Sequence, residues 1–331
     1  MFIAHIGLGK TGTTSLQNFV FSRLVDMGIV STYGRLKTDE FGKVNNLDEI
    51  KRYKLDNEHH LISDESLIGW NPRRAEYNRD LNTLFGDSAT ILITIKSQNS
   101  YMRSLYLQQL QIGNVVSPYN FMLDSDTYNK VEKKIFDKNT TMFFDVDAFD
   151  LEYMIRLYTD YFKKVVVVPI SSIDNLDFLQ ELFPIRKDQI LTLKNDMNKV
   201  RRLNSSYSKI AVKLTLYREN IANIFGLTTR SSSCLSWSVS RYLNTSLKSK
   251  MTEEQIRREV MDNSWLKKTE RRIKGLTQWR WVMRDIISRL FTRPYTLPEN
   301  INKGKFFLKN EEFYQKVENN KKGYLVYEKY D

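Results

Sequence analysis

The chain has a single cysteine, Cys234, so no disulfide can form within it. That excludes a small secreted domain stapled by disulfides, and the expected home is a reducing compartment, the cytoplasm. Long apolar runs are also missing: no stretch approaches the roughly 20 consecutive apolar residues of a membrane-spanning helix. The apolar opening from Met1 to Leu8 is broken by His5, runs into a glycine loop and has no basic segment before it, so no signal peptide is expected. Internal repeats and low-complexity tracts are absent too, which leaves a globular chain to be read element by element.

What is present suffices for a large core: 331 residues, of which 41% are hydrophobic. The 51 Lys and Arg outnumber the 39 Asp and Glu, giving a formal charge of +12 and a surface that favours anionic partners. Short apolar runs, "FIAHIGL", "HHLIS", "TILITIK", "TMFFDV" and "KKVVVVPI", alternate with amphipathic or polar stretches. This alternation predicts an α/β fold with a mostly parallel sheet and helices on both faces, with functional residues just beyond the carboxyl ends of the strands. From about Lys194 the sequence turns to basic helix-like stretches, then to an aromatic and Lys-rich tail from Arg293 that reads as irregular. The expected division is a core over 1–206 and a mainly helical cap over 207–331, within one globular unit.

The opening "GLGKTGTTSLQ" carries the strongest chemical signal. An ATP-binding P-loop needs a glycine, four residues and then Gly-Lys-Ser/Thr. Gly9, Lys10 and Thr11 supply the end, but Ala4 stands where the first glycine belongs. The loop still has the physics of an anion cradle. Gly9 and Gly12 let main-chain N–H groups face a ligand, Thr13, Thr14 and Ser15 add hydroxyl donors, and the next helix presents its positive end. Lys10 adds a point charge.

"GKTGTTSLQ" after a strand resembles the 5′-phosphosulfate loop of the sulfotransferases, enzymes that use 3′-phosphoadenosine 5′-phosphosulfate (PAPS). The resemblance implies a P-loop-like three-layer fold, with Lys10, Thr11, Gly12, Thr13 and Thr14 holding the 5′-phosphate and the transferring sulfuryl group, and Gly9 and Ser15 beside them. In that family an Arg at a strand end and a Ser eight residues later clasp the 3′-phosphate. "TILITIKSQNSYMRSLYLQQ" puts Lys96 and Ser104 at that spacing, in a context similar to the bacterial carbohydrate sulfotransferases. Lys in place of Arg keeps the charge but loses the planar fork, so Arg103 is a candidate to share the load. "NKVRRLNSSYSKIAVKL" resembles a later segment of the bacterial members, which implies roles for Arg201, Arg202, Asn204 and Ser205 near the 3′-phosphate or the acceptor.

Sulfuryl transfer needs a base that takes the acceptor's proton, placed just past a strand end near Lys10. "HHLISDESLIGW" offers Asp64 and Glu65, and it resembles the segment of glycan sulfotransferases whose Glu is the proposed base; on that resemblance Glu65 takes the role. Asp64, His59 and His60 are rivals. If 60–63 is the strand, both histidines lie at its amino end, about 10 Å from the carboxyl edge at about 3.3 Å per residue. His5, inside the first strand, reads as a hydrogen-bonded core histidine.

The implied reaction is in-line transfer from PAPS to a hydroxyl, less readily an amine, of a glycan or glycolipid, leaving adenosine 3′,5′-bisphosphate. Lys10 and Glu65 are its catalytic residues, no metal is required, and Lys37, Arg73, Arg74 and Arg79 are candidates to line the acceptor cleft. The main alternative is a P-loop-like nucleotide kinase or NTPase, since "LISDE" and "MFFD" both resemble a strand ending in a Mg²⁺-holding Asp. The other is a basic protein that binds nucleic acid or a membrane. No specific nucleic acid is expected, but 276–293 has Trp279, Val282, Ile286 and Leu290 against Arg280, Arg284 and Arg289, a pattern suited to peripheral contact at the inner face of a membrane.

Overall fold

The computed structural model describes residues 1–34, 58–64, 67–68, 75–76, 79–80, 83–112, 115–132, 143–199, 207–224 and 282–329. The chain is an α/β protein with a mostly parallel central sheet. Its strands are β1 (Phe2–His5), β2 (Thr32–Gly34), β3 (His60–Ser63), β4 (Thr90–Ile95), β7 (Lys164–Pro169) and β8 (Leu325–Glu328); β5 (Met122–Leu123) and β6 (Phe144–Asp145) form a separate pair. The sheet order is β2-β3-β1-β4-β7-β8, parallel throughout except for β8, which runs antiparallel along β7. The longer helices are α1 (13–26), α2 (Gln98–Ile112), α3 (Ser125–Glu132), α4 (Leu151–Thr159), α5 (Lys187–Lys199), α6 (Lys209–Ile224) and α7 (Phe307–Glu318).

The chain forms two compact units. One comprises Met1–Tyr101, Asp147–Arg201 and Gly304–Asp331; the other comprises Met102–Val146 and Arg202–Lys303. The whole six-stranded sheet belongs to the first. Along its strands Ile3, Leu61, Leu92, Val166 and Val168 enter one core with Leu16, Val20, Phe21 and Leu24 of α1 and Leu193 of α5. The alternate residues Ala4, Ile62, Ile91, Ile93, Val165 and Val167 are buried as well. Burial on both faces explains why these strands read as unbroken apolar runs.

Two sequence expectations change. Of "TMFFDV", the described residues 143–146 contribute the two residues of β6, paired with β5 in the second unit rather than in the main sheet. The tail from Arg293 is not irregular throughout: it contains α7 and β8, which belong to the first unit. Asn310 ties α7 in place. Its Nδ2 donates to Gln98 Oε1 at 2.6 Å and to the Phe149 carbonyl at 2.7 Å, while its Oδ1 accepts from the Leu151 N–H at 2.8 Å. Glu311 accepts from the Asn99 N–H at 3.0 Å, at the first turn of α2. In the second unit Tyr106 packs against Phe121 and Tyr295, each at 5.7 Å between ring centroids.

After β1 the chain goes to β2 and β3 on one side of it, and after β4 it goes to β7 on the other. The connections therefore diverge between β1 and β4, and in an open parallel sheet that reversal leaves a crevice at the carboxyl ends where ligands bind.

Candidate functional site

The loop 6–12 leaves the carboxyl end of β1 at this crevice. The Ile6 and Leu8 N–H groups still donate to Leu92 and Thr94 of β4, at 2.9 and 3.0 Å, so the chain leaves the sheet only at Gly9. Lys10 then adopts φ +67° and Gly12 φ +83°. A left-handed Lys costs about 1–2 kcal/mol, whereas glycine adopts that conformation freely. Such alternation of left- and right-handed residues turns successive N–H groups toward one point and makes an anion-binding concavity.

Gly12 is the N-cap of α1 and has no side chain to cap it. The first N–H groups of a helix lack intrahelical acceptors, so this end favours an anion. The helix begins as Thr13–Ser15, passes through a π-helical stretch at Leu16–Phe21 and ends as Ser22–Asp26. Thr13 is 98% buried, and its hydroxyl has no hydrogen-bond partner among the described residues. An unpaired buried hydroxyl costs about 1–3 kcal/mol, and an anion oxygen seated in the loop would satisfy it. Thr14 is half-buried and Ser15 exposed.

Thr11 differs from its neighbours. It is fully buried, its Oγ1 donates to the Leu8 carbonyl, and it lies 2.7 Å from Thr94 Oγ1. With its hydroxyl engaged inside the protein, its main-chain N–H is the group left to meet a ligand.

Lys96 follows directly on β4, half-buried, and its Nζ reaches the Lys10 carbonyl oxygen at 3.5 Å. The ammonium at the end of β4 thus meets the main chain of the loop that follows β1. Ser104 and Arg103 lie further along α2, both half-buried, in the second unit. On the other side of β1, Asp64 directly follows β3, half-buried, with its N–H donating to the His5 carbonyl at 3.0 Å. Glu65, Arg201, Arg202, Asn204 and Ser205 lie outside the described residues, as do Lys37, Arg73 and Arg74. Arg79 is paired with Asp80 at 2.6 Å.

β3 begins at His60, so His59 and His60 stand at the amino end of the sheet, away from the loop. His60 Nδ1 is engaged with Thr32 Oγ1 at 2.7 Å. Burial, then the nearby N-terminal charge and His60, hold the His59 pKa below its usual value. His5 is fully buried, 2.7 Å from Ser63 Oγ and 3.2 Å from Thr94 Oγ1. The sequence does not single out Ser63, Thr94 or Gln17. The one signal for Thr94 is a hydroxyl residue inside an otherwise apolar run.

Asp145 of "MFFD" accepts from Ser125 Oγ, at 2.8 and 3.0 Å to its two oxygens. Of 276–293, the described part exposes Leu290 by 70% and Phe291 by 45%, with Arg289 also exposed. Among the described residues no helix is long and apolar enough to cross a membrane. No protein-family model matches the chain, and no curated protein matches it.

Proposed function

We propose that the protein moves a sulfuryl group from PAPS to a hydroxyl of a glycan or glycolipid. The observation that carries the reading is the meeting of Lys96 with the Lys10 loop where the sheet connections diverge between β1 and β4. A nucleotide with phosphate at both its 3′ and 5′ positions needs two cationic contacts on neighbouring strand ends, and ATP needs only one such cluster. The unpaired Thr13 hydroxyl and the uncapped start of α1 suit the 5′ group; Lys96 suits the 3′-phosphate. PAPS would supply the sulfuryl group.

The chain's own residues would do the rest. Lys10 and the loop N–H groups offset charge that grows on the transferring and leaving oxygens, and their fixed positions spare reorganisation during the reaction. Glu65 takes the proton of the acceptor hydroxyl as its oxygen attacks. A sulfuryl group bears less charge than the terminal group of a triphosphate, so lysine and main-chain N–H groups suffice where phosphoryl transfer uses Mg²⁺.

Phosphoryl transfer is the second reading, favoured by Asp64 at the end of β3 beside the loop. Calorimetric titration with adenosine 3′,5′-bisphosphate, AMP and ATP with Mg²⁺ separates the two. Sulfuryl transfer requires the bisphosphate to bind at least about tenfold tighter than AMP, a margin of about 1.4 kcal/mol, and requires Lys96→Ala to erase that margin. Tighter binding of ATP with Mg²⁺ than of the bisphosphate would overturn it in favour of a kinase or NTPase.

A further inference from the structure

Beneath the loop lies a row of buried polar side chains that no substrate need touch: Thr11, Gln17, Ser63, Thr94 and His5. They continue the core row of the sheet, since Ser63 is two residues past Leu61, His5 two past Ile3 and Thr94 two past Leu92. In the sheet register His5 stands directly beside Ser63. Their contacts join end to end. Gln17 Nε2 donates to Ser63 Oγ at 3.0 Å, Ser63 Oγ meets His5 Nδ1 at 2.7 Å, and His5 Nε2 meets Thr94 Oγ1 at 3.2 Å. Thr94 Oγ1 meets Thr11 Oγ1 at 2.7 Å, and Thr11 donates to the Leu8 carbonyl.

Counting protons gives this chain one direction. A hydroxyl has a single proton. Thr11's goes to the Leu8 carbonyl, so Thr94 must be the donor to Thr11. Thr94's proton is then committed, so Thr94 can only accept from His5 Nε2. A neutral imidazole has one N–H, so His5 Nδ1 is bare and accepts the Ser63 proton, while the Ser63 oxygen accepts from Gln17. A second proton on Nδ1 would confront Ser63 and strip its hydroxyl of an acceptor.

We infer that His5 is a positioning residue, held as the Nε2–H tautomer, that fixes Thr11 inward and so presets the shape of the 9–12 loop before any ligand arrives. The inference rests on these hydrogen bonds and holds whichever anion the loop receives. Two further observations fit it. A Cβ on Gly7 would stand 1.7 Å from Thr94 Oγ1, so glycine there leaves room for the bridging hydroxyl. The side chains that meet the ring from β3, β4 and α1, namely Ser63, Thr94 and Phe21, are uncharged, and burial pushes the His5 pKa down to about 3.

The chain has three histidines, so nitrogen-15 NMR of histidine-labelled full-length protein can resolve all of them, with His5→Gln assigning His5 by loss of its signals. The expected result is a His5 ring protonated on Nε2 and bare on Nδ1, unchanged between pH 8 and about 4.5. A proton on Nδ1, or titration near the ordinary value of about 6.5, overturns the inference. Amide hydrogen exchange adds a second readout. Thr94→Val should speed exchange at Leu8, Ser15 and Leu16, whose N–H groups donate to the Thr94 and Gly12 carbonyls on either side of the loop, by about tenfold or more, and Thr94→Ser, which keeps the hydroxyl, should restore protection; equal exchange in the two variants overturns it. If Thr94→Val does not fold, the wild-type NMR result still decides.

Discussion

Acid should weaken this protein in a way that can be traced to one side chain. His5 is fully buried, and burial lowers its pKa from 6.5 to about 3. Between those values the unfolded chain holds one more proton at this residue than the folded chain. Stability is therefore complete above about pH 6.5 and is lost as the pH falls toward 3, at about 1.36 kcal/mol per unit. From pH 7 to pH 4 the loss spans about two and a half units below the unfolded value, or about 3 kcal/mol. That is a large part of the 5–15 kcal/mol typical of a domain.

The assay is urea unfolding at pH 7 and pH 4, followed by circular dichroism, on the wild type and on His5→Gln. Glutamine offers an amide NH2 as donor and a carbonyl as acceptor but cannot titrate. It should be less stable than the wild type at pH 7, because its groups do not fall where the imidazole nitrogens do. It should then lose about 3 kcal/mol less on acidification. Carboxylates elsewhere titrate alike in both proteins and cancel in the difference. Equal losses in the two proteins would refute the reasoning, since they would mean that His5 takes up its proton in the folded state.

Other expectations follow from the same geometry. Lys10→Ala and Glu65→Gln should each lower turnover at least about 100-fold, through lost charge stabilisation and lost base, with circular dichroism unchanged. In Gly7→Ala the new Cβ would meet Thr94 Oγ1 at 1.7 Å, so the hydroxyl must move. The variant should lose about 1–3 kcal/mol in urea unfolding and lose hydrogen-exchange protection at Leu8, Ser15 and Leu16, the bonded amides that flank the loop. Asn310→Ala removes three buried hydrogen bonds and leaves the Leu151 N–H without its partner, which should cost at least about 2 kcal/mol in the same assay.

The central strands were legible because β1, β3, β4 and β7 are buried on both faces and leave continuous apolar runs. "TMFFDV" has the same look, yet its strand residues Phe144 and Asp145 pair outside the main sheet, because an apolar run records burial and not which sheet receives it. The helix α7 was hidden for the opposite reason. Its buried positions are Asn310, Phe313, Tyr314 and Val317, a helical spacing that starts on a polar residue. Asn310 is buried because its amide serves three partners, which no periodicity reveals. At the site, the loop announced itself through Gly, Lys and Thr in local sequence. The network under it did not: Ser63 and Thr94 lie 58 and 89 residues from His5, and only strand register brings them together.

That separation has a physical use. A loop that receives an anion must hold its N–H groups inward against their mutual repulsion and must keep Lys10 left-handed, at about 1–2 kcal/mol. Local sequence cannot supply this restraint, because glycines and hydroxyl residues that permit the shape also permit many others. The restraint comes instead from three strands and a helix, through hydroxyls and an imidazole that each have only one way to bond. A loop ordered in advance has less conformational entropy left to lose when a ligand arrives, so more of the ligand's interaction with Lys10 and the N–H groups remains as affinity or as transition-state stabilisation. Neutrality of His5 matters for the same reason. An imidazolium at this place would strengthen the local positive field, but its Nδ1–H would face the Ser63 oxygen and force that hydroxyl to turn its proton away.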